Sequence, residues 1–310
     1  MRYSAIGLSL VLGFLMACTT TDGDQPNLSD RSGPLQIVCT TGMIGDAISR
    51  IAGDRAEVVR LMGAGVDPHV YKATQGDLRR LTEADVVFYN GLHLEGKMGE
   101  ILEKVGRLKP VIALGDSLPP DQLINSTDYP GAYDPHVWFD VSLWHHVVGI
   151  AGRTLAQLDT AYAEQYLANT HTFQDTLDQL HTYVREQISQ IPAQQRILIT
   201  AHDAFEYFGR AYDIEVRGLQ GISTVSEFGL KDISDLVQLI TDRNIKAIFV
   251  ESSVPRKSLE AVVEGCAQRG HDTRIGGTLY SDAMGEAGTP AGTYPGMVRA
   301  NVRTIVNALR

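Results

Sequence analysis

Long apolar runs are scarce in this chain. After residue 17 no stretch is both long and apolar enough to cross a bilayer as a helix, so a body of membrane-spanning helices is excluded. Basic charge is also in deficit. The chain has 27 Lys and Arg against 37 Asp and Glu, a formal net charge of −10, and no basic patch stands out. That excludes nucleic acid as the main partner, while the acidic surplus is compatible with a cationic ligand. There are only three cysteines. Cys39 lies in an apolar strand pattern and Cys266 in a helical one, and an exported protein would permit them to pair. With nothing local to bring them together, two buried free thiols are the default expectation. Several catalytic signatures are missing too: there is no His-Glu-x-x-His, no Gly-x-Ser-x-Gly, no Walker loop and no strand-linked dinucleotide fingerprint.

The last absence is the most informative. Between Gly152 and Pro192 the chain has neither glycine nor proline. Inside that passage Tyr162, Tyr166, Phe173, Leu177, Leu180, Val184, Ile188 and Ile191 recur in steps of three, four and seven, the repeat of one helix face. Asp159 or Thr160 is the expected N-cap, and Pro192 forbids continuation. A helix of about 30 residues would be about 45 Å long, the width of a whole domain. An ordinary core helix or a coiled-coil arm would show the same pattern. Neither explains why similar strand-and-helix segments flank it on both sides, and a spine joining two lobes does.

With 44% hydrophobic and 21% charged residues, the 310-residue chain has the composition of a globular protein, with length for one large or two modest domains. Its first residues read as an export signal. Arg2 gives the positive start, Ile6 to Met16 the short apolar region, and Leu15-Met16-Ala17-Cys18 resembles a lipobox in which Cys18 is lipidated. An ordinary cleaved signal with a chance cysteine is the plainer alternative. The polar run from Thr19 to Gly33 reads as a tether. The expected division is signal peptide 1–17, tether 18–33, N-terminal α/β lobe 34–157, backbone helix 158–192 and C-terminal α/β lobe 193–310.

In the first lobe, strand patterns at 35–39, 57–62, 85–90 and 111–114 alternate with helical ones, including a helix capped by Thr74, one from about Glu95, and one capped by Asp140 and running to about Leu158. In the second, strands at 196–200, 214–219, 246–250 and 273–276 alternate with helices at 204–212, 231–243, 256–269 and 294–309. Such alternation defines an α/β fold with parallel sheets. Asp67-Pro68-His69, Asp134-Pro135-His136, Thr200-Ala201-His202-Asp203 and Ser281-Asp282 all fall past strand ends, where open α/β sheets bind ligands. Two facing lobes would bring His69, His136, His202 and Asp282 together as three imidazoles and one carboxylate. Each histidine of the first two motifs follows a proline that stiffens its loop, and Asp67 or Asp134 could orient it. Glu251 comes just after the strand pattern that ends at Val250 and could line the cleft. His93 reads either as a helix start or as a supporting residue of the site. Glu206 could share a helix face with His202. His145, His146, His171 and His181 read as surface or packing residues, and His271 as an exposed turn. Four protein donors would close a tetrahedral shell, whereas a catalytic zinc keeps one position open for water. That favours holding an ion over reacting with it.

At these residues a family becomes recognisable. Asp67-Pro68-His69-Val70-Tyr71, Asp134-Pro135-His136-Val137-Trp138-Phe139-Asp140, Thr200-Ala201-His202-Asp203-Ala204-Phe205, Val250-Glu251-Ser252-Ser253 and Tyr280-Ser281-Asp282-Ala283-Met284-Gly285 resemble the cluster A-I metal-binding lipoproteins, the substrate-binding subunits of zinc and manganese ABC importers. The resemblance runs over about residues 35 to 310 and is nearest to the TroA type of three His and one Asp. It implies a clamp of two α/β lobes on one rigid helix, with His69, His136, His202 and Asp282 as ligands. It also implies zinc or manganese as cargo, and a permease with its ATPase as partners. Manganese-type relatives carry Glu where His202 stands, and many zinc-type relatives have a long His-rich loop before the second ligand. Here the segment from Ser117 to Tyr133 is short and has no histidine. The expectation is a monomeric, membrane-anchored extracytoplasmic lipoprotein that captures zinc, with manganese as the alternative cargo. An envelope zinc enzyme and an adhesin-type surface lipoprotein are the competing functions.

Overall fold

The computed structural model describes residues 27–310. The export signal, Cys18 and the start of the tether lie outside the described residues. In the first half β1 (Leu35–Cys39), α1 (Gly42–Ala52), β2 (Ala56–Arg60), α2 (Gln75–Glu83), β3 (Val86–Tyr89), α3 (Gly99–Gly106), β4 (Val111–Ala113) and α4 (Val141–Leu158) follow one another. The four strands form a parallel sheet in the order β2-β1-β3-β4. β1 and β3 are near-continuous apolar runs because a parallel sheet covered by helices is buried on both faces.

After α5 (Ala163–Ile188) come β5 (Ile197–His202), α6 (Glu206–Tyr212), β6 (Glu215–Gln220), α7 (Leu230–Asp242), β7 (Ala247–Glu251), α8 (Lys257–Gln268), β8 (Arg274–Leu279) and α9 (Tyr294–Leu309). β5 pairs with β6 and β7 with β8, both parallel, and β5 lies beside β7. These are two separate two-stranded sheets, and with β5 beside β7 their spatial sequence β6-β5-β7-β8 parallels the hydrogen-bonded order β2-β1-β3-β4 of the first half.

Local signals act where they were expected at two helix starts. The Thr74 hydroxyl accepts from the Asp77 backbone while Asp77 answers to the Thr74 backbone, closing a capping box on α2. Asp140 accepts from the backbone of Ser142 and Leu143 at the start of α4. The helix expected near Glu95 begins only at Gly99, because a chain of turns from Leu92 intervenes.

The spine departs from expectation at its N-terminus. Neither Asp159 nor Thr160 caps it: Thr160–Tyr162 is a 3-10 turn and α5 begins at Ala163. The Asp159 carboxylate accepts instead from buried Arg55 Nε and from the Tyr166 hydroxyl, at 2.8 Å each. The 26-residue helix is therefore about 39 Å long. Its buried stripe is Tyr166, Thr170, Phe173, Leu177, Leu180, Val184 and Ile188. Gly152 lies within α4, where a Cβ would come 2.1 Å from Thr170 Oγ1, so it is the point at which α4 can lie against α5. One continuous core runs from Leu35 in β1 through α4 and α5 to Phe208 in α6 and Ile305 in α9, with separate clusters under the outer faces of each half. Cys39 and Cys266 are both buried and unpaired.

Candidate metal centre

The two Asp-Pro-His motifs fold alike. Asp67 Oδ1 accepts from the His69 backbone N–H, and Asp134 Oδ1 from that of His136, each at 2.9 Å. This aspartate turn two residues ahead is a local device, with proline fixing the residue between. Asp134 Oδ1 also takes the His136 Nδ1 at 2.7 Å, which leaves Nε2 to face inward. Asp67 does not touch the His69 ring. Its second oxygen accepts from Thr224 Oγ1, across the cleft, at 2.6 Å.

His202 is the last residue of β5, not a loop residue beyond it, and Glu251 is the last residue of neighbouring β7. Glu251 Oε1 accepts from the His202 backbone at 2.9 Å, and Oε2 sits 2.6 Å from His202 Nδ1. This histidine too has a carboxylate against its Nδ1, as a close ion-pair contact and not as the aligned hydrogen bond that His136 makes. Asp282 lies in the turn after β8, next to Ser281, whose carbonyl accepts from Trp138 Nε1 at 3.1 Å.

These elements bring His69, His136, His202 and Asp282 together, with their candidate donor atoms all within 4.8 Å of one another. All four are nearly free of solvent contact, His69 being the most accessible at 5%. His69 Nε2 is 3.3 Å from His136 Nε2. Asp282 is 3.5 Å from His136 Nε2, 3.3 Å from His202 Nε2 and 3.7 Å from His69 Nε2. Neither oxygen of Asp282 has a hydrogen-bond partner, nor does His202 Nε2. A buried carboxylate without partners is costly unless a cation answers it. Donors held about 2.0–2.1 Å from a tetrahedral zinc lie about 3.3–3.4 Å apart; the four separations above run from 3.3 to 3.7 Å, so a small contraction would close the shell. The donor set fits such an ion.

The electrostatics divide the three imidazoles. Burial, reinforced by the neighbouring His136 and His202, lowers His69 to about 3 despite the pull of Asp282. Burial also opposes charge on His136, but Asp134 and Asp282 overcome it and raise that ring to about 9. Glu251 and Asp282 likewise overcome burial and hold His202 well above the usual imidazole range. Asp282, surrounded by these rings, is held well below the usual carboxylate range although burial pushes the other way. The cluster can therefore exchange protons for a divalent cation.

The other candidates separate cleanly. No hydrogen bond joins His93 to the four donors; it is exposed and lines a cavity beside them. Glu206 is half-buried and makes no contact with the His202 ring, while burial and Asp134 raise its carboxyl. None of the remaining histidines joins the cluster. His181 Nδ1 meets the Tyr212 hydroxyl, and His271, half-buried and not exposed as expected, meets the Ile245 carbonyl. Sequence reasoning missed Thr224, whose partner is 157 residues away, and Tyr207, whose hydroxyl donates to the Asp134 carbonyl at 2.9 Å. Trp138, within the His-Val-Trp run, packs its ring 5.2 Å from that of His136.

Two parallel α/β units on one helix, with this donor set where they meet, define a metal-binding solute-binding protein. The family model described as ZnuA, zinc-uptake complex component A, periplasmic, matches residues 37–308, and the chain belongs to that family. It is 48% identical over 276 residues to the manganese-binding lipoprotein MntA of Bacillus subtilis, spanning 89% of this chain and 90% of that one. It is 45% identical over 300 residues to the zinc-binding protein TroA of Treponema pallidum, spanning 97% and 96%. The solved structure of the periplasmic zinc-binding protein TroA from Treponema pallidum superposes with a TM-score of 0.87 at 46% identity, covering 90% of this chain and 99% of that one. Further relatives in Streptococcus mutans and Streptococcus pneumoniae are named metal or manganese ABC transporter substrate-binding lipoproteins.

Proposed function

We propose that His69, His136, His202 and Asp282 together hold one divalent transition-metal ion as cargo, zinc in preference to manganese. The observation that carries this reading is the partnerless Asp282 carboxylate, buried 3.3–3.7 Å from three imidazole nitrogens. Asp134 and Glu251 fix two of the rings by their Nδ1 atoms, and Asp67 fixes the backbone of the third. Three nitrogens and one oxygen make a borderline donor set that zinc accepts, whereas manganese is at the weak end of the divalent series and prefers oxygen. The relatives' names point both ways, one to manganese and one to zinc. Availability in the cell also bears on which ion is loaded.

The protein then delivers its ion to a permease and ATPase of the cytoplasmic membrane, as a monomer with lobes at 34–157 and 193–310 on a backbone helix at 158–192. It is exported and anchored through lipid on Cys18, in keeping with relatives named as lipoproteins. It is not an enzyme, because four protein donors leave no position for an activated water. Competition titrations with zinc and manganese, together with metal analysis of protein purified from its own envelope, test the reading. Zinc should bind more tightly by orders of magnitude. Equal affinity for the two ions would refute the argument from donor softness.

A further inference from the structure

The four donors are buried, so an arriving ion needs a way in. Beside them lies a cavity of about 320 Å³, lined in part by His69, His93, Tyr129, Tyr133 and Ser223. His69 is the only one of the four donors on its wall. At the same wall the backbone is unusual. Gly91, Leu92 and His93 all take positive φ, at 78°, 52° and 65°. Two consecutive left-handed residues with side chains are strained and persist only where their surroundings hold them.

The surroundings do hold them. The carboxylate of buried Glu95 accepts from the backbone N–H of Asn90 at 2.8 Å and of Gly91 at 3.2 Å, and from Thr40 Oγ1 at 2.7 Å. Asp116 Oδ1 accepts from the Leu92 backbone at 2.7 Å. A Cβ on Gly91 would meet that same Asp116 oxygen at 2.7 Å. Asn90 Nδ2 donates to the Pro135 carbonyl, which ties the turn to the loop bearing His136. Leu92 is buried by this arrangement, while His93 stays exposed on the cavity wall and makes no side-chain hydrogen bond among the described residues. Two carboxylates thus hold a strained turn whose one solvent-facing product is an imidazole beside the first reachable donor.

We propose that this cavity is the route by which the ion enters and leaves, and that His93 is its first stop: a transient imidazole ligand that replaces one hydration water before His69 takes over. The inference rests on the metal-binding reading above. It adds a residue that governs the speed of loading and not the strength of the loaded state. An entrance ligand lowers the barrier in both directions, so losing it must slow loading and unloading by the same factor and leave the equilibrium affinity alone.

The test uses the mature chain with zinc alone as the probe. Trp138 fluorescence reports loading, because its ring packs on His136. His93→Asn keeps a residue tolerant of positive φ, and His93→Gly removes the side chain while easing the backbone. Both should slow stopped-flow loading and chelator-driven unloading about tenfold, equivalent to about 1.4 kcal/mol on the barrier. Their affinities in competition titration should match the wild type. Loading as fast as wild type in both variants overturns the proposal. Weaker affinity with unchanged unloading overturns it too, since His93 would then support the completed site. Failure of the wild type itself to bind zinc would refute the metal-site reading instead, and the two failures are told apart by the equilibrium titration.

Discussion

Zinc loading at pH 7 should release about two protons per ion. His136, raised to about 9, is almost wholly protonated at that pH, and His202 lies higher than the usual imidazole range. Asp134 and Glu251 occupy the Nδ1 sides of these two rings, so the metal must take Nε2 and each ring must surrender one proton. His69, at about 3, is already neutral, and Asp282 is already ionised. The sum is about one from each of two rings. Three ordinary imidazoles with pKa about 6.5 would together release only about 0.7. Calorimetry in buffers of different ionisation enthalpy reads this number directly as a slope. The apparent affinity should keep climbing with pH to about 9 on His136, instead of levelling off near the usual imidazole range. Asp134→Asn removes the carboxylate that raises His136. It should cut the release by about one proton and weaken zinc about 10- to 100-fold, or about 1.4–2.8 kcal/mol. A wild-type slope of 0.7 or less, or an Asp134→Asn variant that still releases two protons, would refute the charge assignment.

The same shifts set the pH dependence of the metal-free fold. His136 and His202 are raised, so their stabilisation is complete below the ordinary imidazole pKa of about 6.5 and is lost as pH climbs through about 9. His69 and Asp282 are lowered and act oppositely, losing theirs on acidification, His69 from about 6.5 towards about 3. Scanning calorimetry should show the metal-free melting temperature falling from pH 6.5 to 9, and a flat profile there would count against the raised rings. Asp282→Ala should weaken both metals, and His202→Glu should shift preference towards manganese by replacing nitrogen with oxygen, both readable by competition titration. Cys18→Ala should move the protein from membrane to soluble fraction on cell fractionation, and unchanged retention would sink the lipid anchor. X-ray scattering should find little change in radius of gyration on loading, with any ordering confined to loops near His69 and His202; a large change would contradict a stiff spine.

Much of the site was legible because its parts are local. An aspartate, a proline and a histidine in sequence already contain the turn that Asp67 and Asp134 make, so two such motifs past strand ends marked His69 and His136 as candidate donors, and the fold brings them together. Glu251 was foreshadowed only by its place at a strand end, and its contact with His202 depends on β5 and β7 lying side by side. What the sequence hid is long-range. Asp159 has the chemistry of a helix cap, but Arg55, 104 residues earlier, claims its carboxylate, and the spine starts later. Thr224 sits in a polar loop with no signal that it would cross to Asp67. His93 stayed open between a helix start and a supporting residue of the site, because the carboxylates that bend its turn, Glu95 and Asp116, gave no local sign of doing so.

Those long-range contacts also explain why the spine suits a metal site. Tyr207 donates to the Asp134 carbonyl, Trp138 Nε1 to the Ser281 carbonyl and the Tyr294 hydroxyl to the Trp138 carbonyl, so ligand-bearing segments of each half are fastened to the other. The core that runs through α4, α5 and α9 is shared by both halves. A hinge between them would have to break these bonds and open that core together. Donors held at near-ligating distance before the ion arrives lose little freedom on binding, which raises affinity but leaves no wide motion to expel the cargo. Under the proposed function, release would fall to links that cross the cleft mouth outside the core, among them Thr224 to Asp67, the Ile222 backbone to Asp128, and Ser226 with Tyr129. Breaking the Thr224 link would free the carboxylate that fixes the His69 backbone, so the mouth would loosen one proposed ligand of four while the spine and the other three stay in place.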